Sequence, residues 1–274
     1  MQDILTCAMG LDIHRDVIVA CLAKGELGTD PEIEIRSFST LIPEMRKLRD
    51  WVLEAECRYV AMESTGIYWQ PIYEMLEPCF DGQISILVVN ARHMKNVPGR
   101  KTDMRDAQWI ATLLRAGLLK GSFIPDKTFR ELRHLTRYRK SIVRDITAQK
   151  NRIDKFLQSS GFRFTAFLSD AFGASGRNII RHLMEYGNIS REALDRCLKT
   201  QTRKRIDEIL IALNGSLSEH QRGFLRMIFG HLEALEQHRH TVEDAITKEI
   251  TKHEEALSLL CSIPGIDVTA PAAI

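Results

Sequence analysis

ILTCAMGLDI at residues 4–13, VIVACLA at 17–23 and EIEIRSF at 32–38 decide the fold. The first two are short apolar runs separated by the turn-like His14-Arg15-Asp16, which makes them neighbouring strands. The third alternates with period two, as a strand with one wet face does. Pro43 then sits near the start of a helical pattern in which Met45, Leu48, Val52 and Ala55 line one face. Residues 59–62 read as a brief strand, 68–76 as a helix, and ISILVV at 84–89 as a buried strand. The order is three strands, helix, strand, helix, strand, helix.

A hairpin meander followed by alternating units is the strand order of the RNase H-like fold, an α/β class. From about residue 126 the pattern changes to long helices. Phe129, Leu132, Leu135, Ile142, Ile146, Ile153 and Phe156 recur at helical spacing. A second run passes through Ile228, Leu232, Leu235, Val242, Ile246, Ile250 and Leu257, its early steps alternating between three and four residues as in a coiled-coil seam. Two antiparallel arms are expected, with turns and short helices at 161–176 and 187–205 between them. The predicted organisation is an α/β domain over 1–122, a helical coiled-coil region over 123–258, and the start of a further domain over 259–274.

Composition excludes several classes. The 274 residues suit two domains, and 44% hydrophobic against 27% charged residues permits a packed core. No apolar run reaches the ~18–20 residues of a membrane span, and the N-terminus lacks the pattern of a signal peptide. Six scattered cysteines form no Cys-x-x-Cys pair, so zinc clusters and disulfide frameworks are poor readings and a cytoplasmic location is expected. No glycine-rich phosphate loop is present. The net charge of +2 hides a segregation: residues 1–91 carry −8, residues 92–163 carry +12 and the remainder −2. A basic block of that size is the electrostatic footprint of a polyanion partner, or else a solvated helix face.

Four acids stand out. Asp12 lies inside the hydrophobic first strand, where an unpaired acid costs several kcal/mol. Glu63 directly follows the strand at 59–62. Asp103 and Asp106, three apart, open a helix whose Ala107, Ile110, Leu114 and Gly117 form an inward stripe, so both share the inward face. Each acid alone has a structural explanation: the aspartates suit a helix N-terminus behind Thr102 as N-cap, and Glu63 suits a wet strand end. Together, acids from adjacent strands and a facing helix converge where repulsion demands a cation. Paired Mg²⁺ ions held by such carboxylates activate an attacking oxygen and stabilise a leaving one.

Other residues carry weaker signals. Pro98-Gly99-Arg100-Lys101 is a flexible basic loop that either touches phosphate or is ordinary surface. On the basic helix Arg130, Arg133, Arg137, Lys140, Arg144, Lys150, Arg152 and Lys155 spread over several faces and would neutralise phosphates without reading sequence. Tyr68 and Trp69 either stack on an unpaired base or fill the core. His238-Arg239-His240 lacks metal-ligand spacing and reads as exposed helix.

The motifs Met9-Gly10-Leu11-Asp12-Ile13-His14, Met62-Glu63-Ser64-Thr65-Gly66-Ile67-Tyr68-Trp69, Val89-Asn90-Ala91-Arg92 and Lys101-Thr102-Asp103-Met104-Arg105-Asp106-Ala107 resemble, in this order, the DEDD transposases of insertion sequences. That is the family numbered one hundred and ten, whose best-studied members are guided by a bridge RNA. The resemblance implies a RuvC-like N-terminal domain with Asp12, Glu63, Asp103 and Asp106 as catalytic, metal-binding tetrad for Mg²⁺, with Mn²⁺ as substitute. It also implies nucleic-acid contacts through Arg92, Lys95, Arg100, Lys101, Arg105, Arg133, Arg137, Lys140 and Arg144. Donor and target DNA, a structured guide RNA and a homo-oligomer, dimer or tetramer, are the implied partners.

Ile263-Pro264-Gly265-Ile266 resembles the opening of the family's C-terminal transposase domain, which supplies a serine nucleophile. No serine follows Gly265 and Pro271 departs from the family's helix, so an incomplete chain is expected. Rival expectations are a stand-alone RuvC-like nuclease and a nucleic-acid-binding remnant without chemistry.

Overall fold

The computed structural model describes residues 3–64, 66–90, 106–253, 258–259 and 262–264. The chain divides into two compact units, Met1–Pro125 and Asp126–Ile274. The first runs slightly past the expected boundary because Ile124 packs on its core and the Ser122 N–H donates to the Val88 carbonyl at 2.8 Å.

The first unit holds β1 (Cys7–Ile13), β2 (Val17–Lys24), β3 (Glu32–Ser39), α1 (Ile42–Glu54), β4 (Tyr59–Glu63), α2 (Gln70–Leu76), β5 (Ser85–Val89) and α3 (Asp106–Arg115). The sheet order is β3-β2-β1-β4-β5. β1, β2 and β3 pair antiparallel, while β4 joins β1 and β5 joins β4 in parallel. That is the RNase H-like topology expected from the sequence. β1 starts at Cys7 rather than at residue 4 because Ile4 and Leu5 instead bond to the Arg115 carbonyl.

Alternation gives the sheet two unlike faces. Met9, Leu11, Ile13, Val60, Met62 and Val88 face α1 and α2, meeting Leu48, Trp51, Val52, Ile72 and Leu76 in a core of large side chains. The other face carries Ala8, Cys21, Ala23 and Ala61, and α3 lies on it through Ala107, Ile110, Ala111 and Leu114. Small residues on both partners let the helix approach closely. Gly10 is the extreme: a Cβ there would stand 2.2 Å from the Ala107 carbonyl oxygen and 2.4 Å from the Ala111 nitrogen.

At the far end of α3, Arg115 is 1% exposed. It donates to the carbonyls of Leu5 at 3.0 Å, Gly25 at 3.3 Å and Glu26 at 2.8 Å, and its Nε lies 3.4 Å from Asp3 Oδ2. One guanidinium thus ties the start of β1 to the loop after β2.

The second unit comprises α4 (Lys127–Ser159), α5 (Ala174–Tyr186), α6 (Arg191–Cys197), α7 (Thr200–Arg203), α8 (Ile206–Ala212) and α9 (Glu219–Ile250). α4 and α9 run antiparallel, for Phe156 meets Phe224 while Tyr138 meets His238 further along. Asp126 caps α4 by accepting from the Phe129 N–H, and Ser218 with Gln221 forms a capping box on α9. Ile142, Ile146 and Ile153 bury against Ile228, Leu232, Val242 and Ile246.

The connecting region is more than turns. Phe162, Phe164, Ile179, Ile180, Leu183, Leu194 and Ile209 extend the same core, so the expected arms share a continuous apolar interior at one end. Leu257 lies outside the described residues. Among the described residues no helix is long and apolar enough to cross a membrane.

Candidate metal centre

Parallel registration sets where the acids emerge. Asp12 follows Ala8 and Gly10 at two-residue intervals, so it projects from the face that α3 covers. Leu11 of β1 pairs with Met62 of β4, which sets Glu63, on the same face as Ala61, beside it at the strands' C-terminal ends. Asp106 is the first residue of α3, immediately before the Ala107 that touches Gly10. The close approach allowed by glycine therefore carries the helix start to the strand ends.

Electrostatics register this convergence. The Asp12 side chain is only 16% exposed. Burial pushes its carboxyl above the ordinary range; His14 opposes the shift, while the negative charges of Asp106 and Glu63 reinforce it. Three acids far apart in the chain thus act on one another. His14 Nε2 lies 3.2 Å from Asp12 Oδ2 and is itself largely exposed. His14 had no role in the sequence reading; its position two residues after Asp12, at the end of a strand, was the available signal, because that spacing returns a side chain to the same face.

Among the described residues no group of three or more His, Cys, Asp or Glu side chains stands close enough together to hold a metal ion. Asp103 falls outside them, as do Arg92, Lys95, Arg100, Lys101 and Arg105. The donor set at hand, carboxylates from β1, β4 and α3, is all oxygen. That chemistry fits a hard divalent cation rather than a thiophilic one.

Arg133, Arg137, Lys140 and Arg144 lie on α4. Steps of four, three and four residues align them on one face, opposite Ile142, Ile146 and Ile153, although the longer basic set does spread. Arg137, Lys140 and Arg144 are exposed and Arg133 half-buried, and none of the four has an ion pair among the described residues. Trp69 packs on the core, edge-to-face with Tyr73 at 5.7 Å, while Tyr68 is exposed. His238 receives the Tyr138 hydroxyl at 2.8 Å, so it braces the helix pair.

An RNase H-like sheet whose strand ends and covering helix present converging acids defines a class of enzymes that act on phosphodiester bonds. Residues 9–161, more than half the chain, match the transposase family DEDD_Tnp_IS110. The chain belongs to that family of DEDD transposases. Thermus thermophilus RuvC is a similar solved structure, 12% identical, covering 42% of this chain and 99% of its own, with a TM-score of 0.29. No curated protein matches. A transposase cleaves and rejoins DNA, and DNA is accordingly the substrate class of this enzyme.

Proposed function

We propose that Asp12, Glu63, Asp103 and Asp106 hold Mg²⁺, or Mn²⁺ in its place, for cleavage of DNA strands during transposition. The observation that carries this reading is that Asp12 and Glu63 end neighbouring strands, Asp106 opens the helix packed on Gly10, and the Asp12 carboxyl is largely shielded from solvent. Evolution of an apo protein toward stability alone would replace Asp12, since an opposed half-buried acid lowers stability without a counter-charge. When bound, the divalent cation polarises a phosphoryl oxygen and lowers the pKa of the attacking oxygen.

The residues do the rest. Asp12, fixed on a rigid strand, keeps its carboxylate at the sheet end; His14 holds one of its oxygens and so orients the group. Glu63 is set beside it by the β1–β4 register, and Asp106 by the contact of α3 with Gly10.

The basic face of Arg133, Arg137, Lys140 and Arg144 serves as a phosphate-contacting surface, and Arg92, Lys95, Arg100, Lys101 and Arg105 of the first unit are a separate set of phosphate contacts. The absence of ion pairs to Arg133, Arg137, Lys140 and Arg144 among the described residues supports this role, because cations not spent on carboxylates remain available for phosphates. A structured guide RNA and a dimeric or tetrameric assembly complete the reading through family membership.

The test is calorimetric titration with Mg²⁺ and Mn²⁺ alongside thermal melts. The wild-type chain is expected to bind in the millimolar range or tighter and to melt higher with metal, by ligand linkage. Asp12→Asn and Glu63→Gln should lose both effects while remaining folded. A folded wild-type protein that binds no divalent ion at millimolar concentration overturns the proposal.

A further inference from the structure

The metal-centre chemistry leaves the cysteines unused. Cys21 and Cys79 are buried and burial raises both thiols, Cys21 to about 11, so they act as apolar filling. Cys7 and Cys57 differ. Cys7 opens β1 and is half-buried; Cys57 is fully buried in the turn that leads into β4, with its thiol 3.3 Å from the Tyr59 carbonyl. β1 and β4 are adjacent parallel strands, registered Met9 to Val60, so the two thiols stand at neighbouring strand roots. Both side chains belong to the same apolar core, Cys57 buried in it and Cys7 at its edge.

Cations surround the more accessible member. Lys24 is the cross-strand partner of Cys7, and its ammonium reaches the Ala55 carbonyl at 3.3 Å, over the same turn that carries Cys57. The guanidinium of Arg115 is anchored nearby on Leu5. The hydrogen bond from Cys57 lowers the Cys7 thiol most; burial works against this, and the charges of Lys24 and Arg115 add to the lowering. Cys57 is pushed far up, chiefly by its bond to Cys7 and then by burial, so it stays a thiol. A partly accessible thiol with a lowered pKa beside a buried second thiol is the arrangement of a peroxide-reactive pair.

We propose that Cys7 and Cys57 form a reversible disulfide in response to a hydroperoxide, a modification site at the root of the two strands that carry Asp12 and Glu63. In the first step the Cys7 thiolate attacks a peroxide oxygen, the O–O bond breaks, and the leaving hydroxide takes a proton to become water. In the second, the Cys57 sulfur attacks the Cys7 sulfenic acid. The S–O bond breaks and the thiol proton leaves with the hydroxyl as a second water. Two thiols and one peroxide thus give one disulfide and two waters. Adjacent parallel strands lie about 4.8 Å apart, so residues at their roots stand within the span that an S–S bond of about 2.05 Å bridges. This inference stands independently of metal binding.

The experiment uses the full reduced chain. At pH 7.5 iodoacetamide should alkylate Cys7 at least about tenfold faster than Cys197, the other half-buried thiol among the described residues. Hydrogen peroxide should then remove about 2 Da and yield, on non-reducing digestion, a peptide joining Cys7 to Cys57 that dithiothreitol separates. In Cys57→Ala, peroxide should instead carry Cys7 on to sulfinic acid. Should that variant not fold, peptide mapping of the wild-type chain decides alone. Equal alkylation rates, or oxidation that never joins Cys7 to Cys57, overturns the proposal.

Discussion

The two units treat charge in opposite ways. Between the helices of the second unit, cations are matched with anions, Arg139 with Glu243 at 2.7 Å, Arg177 with Glu236 at 2.6 Å, Arg181 with Glu233 at 2.8 Å and Arg203 with Asp195 at 2.9 Å, while the face of α4 that carries Arg133, Arg137, Lys140 and Arg144 keeps these cations without ion pairs among the described residues. In the sheet unit the charges of Glu63 and Asp106 act against Asp12, whose hydrogen-bond partner is an exposed histidine. Packing diverges in parallel. The helices meet through large aliphatic side chains that have room to adjust, whereas α3 and β1 meet nearly backbone to backbone. The difference shows where each unit's stability is committed. The helical unit spreads it over a redundant seam, and the sheet unit concentrates close tolerances around the place where acids converge.

Gly10→Ala attacks that tolerance directly and is expected to have the largest effect. Its methyl would meet the Ala107 and Ala111 backbone, and backbone atoms of a packed helix do not swing aside, so a loss of about 3 kcal/mol or more is expected. All three tryptophans, Trp51, Trp69 and Trp109, lie in the sheet unit. Urea unfolding followed by their fluorescence therefore reads this unit alone. A midpoint unchanged from wild type would show that α3 can lift off β1 without penalty. Arg115→Met should come next, at roughly 2–4 kcal/mol, because the carbonyls of Leu5, Gly25 and Glu26 lose a buried charged donor and Asp3 its nearby counter-charge. The same fluorescence assay checks it.

The sheet was legible because its signals are local. Strict alternation in β3, apolar runs in β1 and β2, and a Pro at the first helix each specify an element without help from distant residues. The first acid of the proposed site was conspicuous too, since Asp12 breaks an apolar strand. Convergence was not a matter of spacing alone: it depends on Gly10 admitting α3, a contact between residues about a hundred positions apart. The connections at 161–176 and 187–205 read only as turns and short helices, because their helices are short and their apolar residues irregular in sequence. Only the assembled core, in which Phe162 and Phe164 lie against α8 and α9 neighbours, gives those residues a common purpose.

Asp12→Asn sharpens the contrast in charge. A carboxyl whose folded pKa is raised binds protons more readily in the native state than in the unfolded one. As pH rises from the ordinary carboxylate value, ~4, through the folded pKa, Asp12 therefore subtracts stability, and above that pKa the full penalty persists. The asparagine variant should melt higher than wild type at pH 7 in the absence of divalent ions, with the difference shrinking as the solution is acidified below the ordinary value. Addition of Mg²⁺ should reverse the ranking, because only wild type gains by binding. Melts of both proteins across pH, with and without metal, check the sign. A variant less stable than wild type at neutral pH without metal would mean that His14 more than compensates the repulsion.

The smallest effect is expected in the helical unit and runs in the opposite direction. Gly230 lies exposed within α9, and a Cβ there meets nothing within 4 Å. Gly223, one heptad earlier on the same helix, is equally open. Alanine at such a position removes backbone freedom from the unfolded chain and adds no clash, so Gly230→Ala should stabilise by about 0.5–1 kcal/mol. The same chemical change that disrupts the sheet unit at Gly10 should thus strengthen the helical unit. Tryptophan fluorescence is blind to the second unit, so the gain must be read from the ellipticity at 222 nm, where its long helices dominate. A loss of stability in Gly230→Ala would show that α9 presents that face to another molecule in solution, which the added methyl then obstructs.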